Sequence, residues 1–91
     1  YVQDAGDLEA LRAAAEAAPE DPAARIKHGK ALAAAQRYEE ALTELLASVE
    51  LDPEHEKGAA RKAMLEIFEM LGPESPLVND YRFRLSLVLF S

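Results

Sequence analysis

The sequence contains no cysteine and only two histidines, so several kinds of chemistry lack the residues they need. Without cysteine the chain can form no disulfide, no thiol nucleophile and no thiolate metal site. His28 and His55 lie in different segments, and no glycine-rich phosphate loop or metal-ligand spacing accompanies them. We therefore expect no catalytic residue, no metal site and no cofactor. We expect His28 to be a half-buried packing residue and His55 to be solvated.

Further absences concern the location and the partners of the protein. No apolar stretch reaches the roughly 18 residues that a membrane helix needs, and no signal-peptide pattern opens the chain. The net charge of −7 argues against nucleic acid as a partner. We therefore expect a cytoplasmic protein that binds neither membranes nor nucleic acids. Because the chain begins at Tyr1 rather than Met, we also expect it to be a piece of a longer protein.

Helix-forming residues are abundant in the sequence. Long runs without Gly or Pro, rich in Ala, Leu, Glu, Lys and Arg, favour helices, and no segment alternates as a strand would. The chain of 91 residues is long enough for one small domain, so we expect a single all-α domain over residues 1–91. The apolar periodicity predicts five helices, at residues 7–18, 22–35, 38–51, 56–71 and 76–90. The loops between them are short, which makes neighbouring helices antiparallel.

The sequence also repeats with a period of 34 residues, the spacing of Pro19 and Pro53. Four more pairs share this spacing: Leu8 with Leu42, Leu11 with Leu45, Glu16 with Glu50, and Glu20 with Glu54. This is the period of the tetratricopeptide repeat, which the chain resembles. The resemblance implies antiparallel helical hairpins stacked into a right-handed solenoid, with Gly29 facing Ala41 at a close helix crossing. Two positions depart from the pattern, because Arg25 stands where Trp is typical and His28 where Leu is typical.

The charges are separated along the chain. Residues 23–37 carry only positive charge, residues 38–56 carry seven acids and no Lys or Arg, and residues 57–62 are positive again. In such a solenoid the second and fourth helices line the concave side, so we expect a basic groove and an acidic back. The groove residues would be Lys27, Lys30, Lys57 and Arg61. They would favour an acidic peptide or a C-terminal carboxylate. The alternative is a solvated face, since exposed lysines are the norm on helices.

The last predicted helix has two apolar stripes. One stripe contains Leu77, Val78, Tyr81, Leu85, Val88 and Leu89, and we expect it to pack inward. Phe83, Leu87 and Phe90 fall on the opposite side, flanked by Arg82 and Arg84. A second stripe needs another partner: a missing domain, a second copy or a different protein. The alternative is a fold that covers both stripes internally.

One segment resembles a more specific family. Residues 58–68 (GAARKAMLEIF) are similar to the C-terminal helical region of the bacterial thioredoxin–tetratricopeptide fusion co-chaperones, the chaperedoxins. Residues 36–42 (QRYEEAL), Gly72-Pro73 and Pro76-Leu-Val78 agree with the same family. The resemblance implies a cytoplasmic co-chaperone with an N-terminal thioredoxin-like domain, which these 91 residues do not contain. Its partners would be unfolded clients, the chaperonin and the Hsp70 system.

Three functions remain open from the sequence. The first is a non-catalytic interaction module of a chaperone-linked protein that binds through its last helix and its groove. The second is an adaptor that grips an acidic peptide tail, whose binding would weaken as salt screens the charges. The third is a structural module that orients a neighbouring domain or drives self-association.

Overall fold

The computed structural model describes the backbone of residues 5–90 and the side chains of residues 8–90. Within this range the chain forms α-helices and no strand, so the all-α prediction is confirmed. The helices are α1 (Ala5–Ala17), α2 (Pro22–Ala34), α3 (Tyr38–Leu51), α4 (Ala59–Leu71) and α5 (Pro76–Leu89). None of these described helices is both long and apolar enough to cross a membrane. Four of the five agree with the predicted bounds to within two residues.

Side-chain caps and prolines set the start of two helices. The Oδ1 atom of Asp21 accepts a hydrogen bond from the N–H of Ala23 at 3.0 Å, and Pro22 is the first residue of α2. The Oγ atom of Ser75 accepts from the N–H of Val78 at 3.4 Å, and Pro76 begins α5. Proline suits these positions because a first-turn N–H has no partner within the helix. The repeated cap-and-proline pattern therefore marks real helix starts.

The predicted start of α4 is wrong. The pattern predicts a helix from residue 56, whereas α4 begins at Ala59, after a short 3-10 turn at His55–Lys57. The φ angles of Glu56, Lys57 and Gly58 are 49°, 61° and 79°. Such left-handed backbone cannot continue a right-handed α-helix, and it is costly for the two residues that carry a Cβ. His55 is also half-buried rather than solvated, and its Nε2 atom is buried.

The tightest contact in the core is the crossing of α2 and α3. A Cβ placed on Gly29 would lie only 2.8 Å from the Cγ of Leu45 and 3.3 Å from the carbonyl oxygen of Ala41. Both Leu45 and Ala41 are fully buried. Only a glycine fits α2 at this point, so the predicted close crossing of Gly29 and Ala41 is confirmed.

A polar contact holds the same two helices together at another point. The buried Ser48 of α3 donates a hydrogen bond from its Oγ to the carbonyl oxygen of Pro22, at a distance of 3.0 Å. This bond ties α3 to the first residue of α2 and satisfies a hydroxyl that would otherwise be costly to bury. The α2–α3 hairpin is thus fixed at both its apolar centre and one end.

Arg25 and His28, the two residues that depart from the repeat pattern, both contact Glu44 and form one ionic cluster on this hairpin. Nδ1 of His28 lies 3.0 Å from Oε1 of Glu44, and the guanidinium of Arg25 lies 3.1 Å from Oε2 of the same carboxylate. All three side chains are mostly buried, His28 the most. His28 is therefore not the half-buried packing residue that the sequence predicts. It is a buried member of a charged network that replaces the usual apolar contacts.

The remaining helices pack around the α2–α3 hairpin. Helix α1 lies against α2, α4 lies against α3 and also reaches α2, and α5 lies against α3. The hydroxyls of Thr43 on α3 and Tyr81 on α5 are 2.7 Å apart and hydrogen-bonded. The apolar core extends from Ile26 on α2 to Leu85 on α5, so all of α2 to α5 share it.

Replacing Ala41 by Leu tests the close crossing. We expect the free energy of unfolding to fall by about 1–3 kcal/mol, because the extra methyl groups must force α2 away from α3. Urea and thermal melts measure the change. Ala13→Leu, on the exposed side of α1, is the matched control and should stay within about 0.5 kcal/mol of the parent. Equal stability of the two variants would contradict the placement of Ala41.

Replacing Glu44 by Gln tests the ionic cluster. We expect a loss of about 1–3 kcal/mol in the free energy of unfolding, because Arg25 and His28 lose the carboxylate that they share in a mostly buried position. Glu40→Gln on the same helix is the control. It breaks the exposed pair with Arg37, whose atoms are 2.7 Å apart, and should cost under about 1 kcal/mol. Equal losses in the two variants would show that burial adds nothing to the cluster.

Candidate functional site

Helix α5 carries the clearest candidate surface, and its inward side fixes how that surface is presented. Val78, Tyr81 and Leu85 are buried, while Leu77, Val88 and Leu89 are half-buried. These six residues are the stripe that the sequence predicts to face inward. Since residues on the opposite side of a helix point away from its contacts, the second stripe must face outward.

The outward side of α5 is apolar. The exposed fractions of Phe83, Leu87 and Phe90 are 62%, 54% and 84%, the last being the most exposed large apolar residue described. We call these three residues the α5 apolar face. No contact within residues 8–90 buries them, so the alternative in which the fold covers both stripes is not what the structure contains. Their role in binding stays a prediction.

The two arginines of α5 lie on opposite sides of the α5 apolar face. The guanidinium of Arg82 lies 5.6 Å from the ring centre of Phe68 on α4. The guanidinium of Arg84 lies 4.9 Å from the ring centre of Tyr81 and 3.2 Å from Oδ1 of Asp80. The hydrogen bond to Asp80 raises the pKa of Arg84 above its ordinary value. The apolar face thus has a positive charge on each side, one of them paired with an acid.

Two of the four predicted groove residues lie together. Lys27 and Lys30 are exposed on α2 and line a cleft of about 370 Å³ with Leu11 of α1 and Ala31. We call it the α1–α2 groove. Neither lysine forms an ion pair within residues 8–90. Both ammonium groups are therefore available to a ligand carboxylate.

The other two predicted groove residues lie elsewhere. Lys57 is exposed in the turn before α4, and Arg61 lines a separate cleft between α4 and α5. A cleft of about 380 Å³ does lie between α2 and α4, with Lys30 on one side and Glu66 and Met70 on the other. Glu66 and Arg61 are on opposite sides of α4, so the structure does not bring Arg61 to this cleft. Binding by these residues remains a prediction.

The cleft between α4 and α5 is the feature that sequence reasoning missed. We call it the α4–α5 groove, and it is lined by Arg61, Leu65, Arg82, Leu85, Ser86, Leu89 and Phe90. The signal was Leu65, an apolar residue two positions after the buried Ala63 and therefore on another side of α4. An apolar position on α4 outside its buried stripe indicates a further apolar surface on this helix, and the structure places that surface beside Leu85 and Leu89 of α5.

Comparison with known proteins identifies the family but no individual relative. The family model described as tetratricopeptide repeat matches residues 2–90. No match was found among curated proteins or among solved structures. Tetratricopeptide repeats are generally non-catalytic modules that mediate protein–protein interactions, and their stacked helices form extended binding surfaces. With the match spanning nearly the whole sequence and the helical hairpins in place, the chain belongs to the tetratricopeptide repeat family.

Proposed function

We propose that this domain is a non-catalytic protein-binding module of a thioredoxin-like co-chaperone, and that it binds unfolded clients or a chaperonin through α5. The α5 apolar face is the observation that supports this proposal. Its three large apolar side chains are more than half exposed, although the helix that carries them is well packed on its other side. Apolar patches on soluble proteins mark interaction sites, because burying them against a partner is favourable.

The flanking arginines would make this apolar surface prefer acidic partners. Arg82 and Arg84 place positive charge on both sides of Phe83. Such charges contribute little affinity at an exposed rim, but they steer association and select acidic partners. An unfolded client would be held by the apolar face, and an acidic chaperonin rim would be oriented by the arginines.

The rest of the proposal depends on the resemblance of residues 58–68 to the chaperedoxins. In the whole protein a thioredoxin-like domain would precede this one, in the cytoplasm. That domain would protect client cysteines by mixed disulfides, and clients would pass to the chaperonin and the Hsp70 system. The 91 residues contain no cysteine, so the redox step would belong entirely to the other domain.

A second candidate function has one specific observation in its favour. Lys27 and Lys30 lie in the α1–α2 groove without an ion pair among the described side chains, beside the apolar Leu11 and Ala31. This arrangement suits an acidic peptide tail, since two ammonium groups one helical turn apart can each pair with a carboxylate. The domain would then be an adaptor rather than a client-binding module.

Replacing both Phe83 and Leu87 by Ser tests the leading proposal. We expect binding to a chemically unfolded model client, or to purified bacterial chaperonin, to weaken at least about tenfold, because the centre of the apolar face is lost. Biolayer interferometry with the immobilised domain measures this. Thermal unfolding should change little, since neither side chain is in the core.

Leu51→Ser is the matched control for this experiment. Leu51 is 41% exposed at the end of α3 and does not belong to the α5 apolar face, so its replacement should leave client and chaperonin binding unchanged. Equal binding by the control and the double variant would refute the role of α5. A mass that rises with concentration in the parent and not in the double variant would instead favour self-association through this face.

Replacing Lys27 and Lys30 by Glu tests the second candidate. If the domain is an acidic-tail adaptor, the parent should bind acidic C-terminal peptides at low salt and lose most of that binding at high salt, because screening weakens charge pairing. Fluorescence anisotropy of labelled peptides measures both. The double variant should not bind while keeping its helicity, and Lys62→Glu on α4 is the control. Absence of binding by the parent would rule this candidate out.

A further inference from the structure

The α4–α5 groove has the shape and the lining of a binding cleft. Its volume is about 450 Å³, the buried Leu85 and the half-buried Leu89 form its floor, and the exposed Leu65 and Phe90 line its edges. Leu65 is 42% exposed, although it lies in the middle of α4. Phe90 also belongs to the α5 apolar face, so the groove and that face form one continuous apolar surface.

Two arginines line this groove, one on each of its helices. The guanidinium of Arg82 lies beside the ring of Phe68, and Arg61 lies seven residues before Phe68 on α4. At 1.5 Å per residue, that separation is about 10 Å along the helix axis. Neither arginine forms an ion pair within residues 8–90, and no acidic side chain is among the described residues that line the groove.

We propose that the α4–α5 groove binds an acidic amphipathic helix of a partner protein. Two apolar side chains at positions i+3 and i+4 of that helix would lie on the floor beside Leu65. Carboxylates at positions i and i+7 of the partner helix would lie on the same side as these apolar residues, about 10 Å apart along its axis. Arg61 and Phe68 are separated by the same distance along α4, and Arg82 lies beside the ring of Phe68. This is helix-in-groove recognition with a charge pair at each end. The inference rests on the proposed function, because it names a partner for the same end of the domain.

Charge favours such a partner over a second copy of this chain. Two copies that met through this groove would bring Arg61 and Arg82 of each close to those of the other, and like charges across an interface are costly. An acidic helix instead supplies the missing counter-charges. The net charge of −7 is no obstacle at contact distance, because none of the exposed acids on the two helices of the groove, Glu66, Glu69 and Asp80, is among the residues that line it.

A pair of designed peptides tests the inference directly. One dye-labelled helical peptide carries Glu at positions i and i+7 and Leu at i+3 and i+4, and the other carries Lys in place of both Glu. Fluorescence anisotropy with the 91-residue chain should show at least about tenfold tighter binding of the acidic peptide, since each end of the groove then pairs with a carboxylate.

Matched variants locate the binding. Arg61→Glu should weaken the acidic peptide about tenfold and strengthen the lysine peptide, whereas Lys62→Glu, the next exposed residue on α4, should change neither by more than about twofold. Leu65→Ser should weaken the acidic peptide about fivefold or more, and Leu51→Ser, a control of nearly equal exposure outside the groove, should not.

Three results would overturn the inference. The first is equal binding of the two peptides, and the second is an Arg61→Glu variant that behaves like Lys62→Glu. The third is a parent dimer, seen by sedimentation, that Leu65→Ser dissociates, because the occupant would then be a second copy. Phe83 and Leu87 do not line the groove, so the two sets of variants report on different side chains, and a failure of this inference can be told apart from a failure of the proposed function.

Discussion

The close approach of α2 and α3 at Gly29 determines where the other helices can pack. Because Gly29 has no side chain, the Cγ of Leu45 can lie 2.8 Å from where a Cβ would be, and the two helices share one apolar surface. Helix α4 packs against both of them, and α5 packs against α3. A wider crossing would move α3 and shift every later helix, since interiors are close-packed and transmit displacement.

Solenoid packing explains why so much apolar surface stays open at the α5 end. Each repeat buries only the side that meets its neighbours, so a helix at the edge of the described fold uses one stripe and leaves the other free. In α5 the free stripe contains Phe83 and Leu87. In α4 the exposed Leu65 plays the same part. Apolar residues at such positions contribute nothing to this core, and a partner that covers them would account for their presence.

The fold was more predictable from the sequence than the sites were. The 34-residue period, Gly29 and the cap-and-proline pairs report local and pairwise packing, so they predicted helices and the crossing correctly. The position of Arg61 depends on the rotation of α4, which the left-handed backbone at Glu56 and Lys57 resets. The repeat register gives Arg61 the same position as Lys27, 34 residues earlier, yet the two side chains line different clefts. Only Gly58 signals such a turn, and one glycine does not reveal its length.

The local positive charge beside the α4–α5 groove differs in sign from the net charge of the chain, and this difference bears on which partners the groove would bind. A chain of net charge −7 repels an acidic partner at long range, but at physiological salt that repulsion fades beyond about 8 Å. In the proposed complex Arg61 and Arg82 would act within that distance. They would select and orient the partner, while Leu65 and Phe90 would supply the apolar area that becomes buried and gives affinity. The charges would then decide which partner fits once the two surfaces are nearly in contact, and the apolar area would decide how tightly it is held.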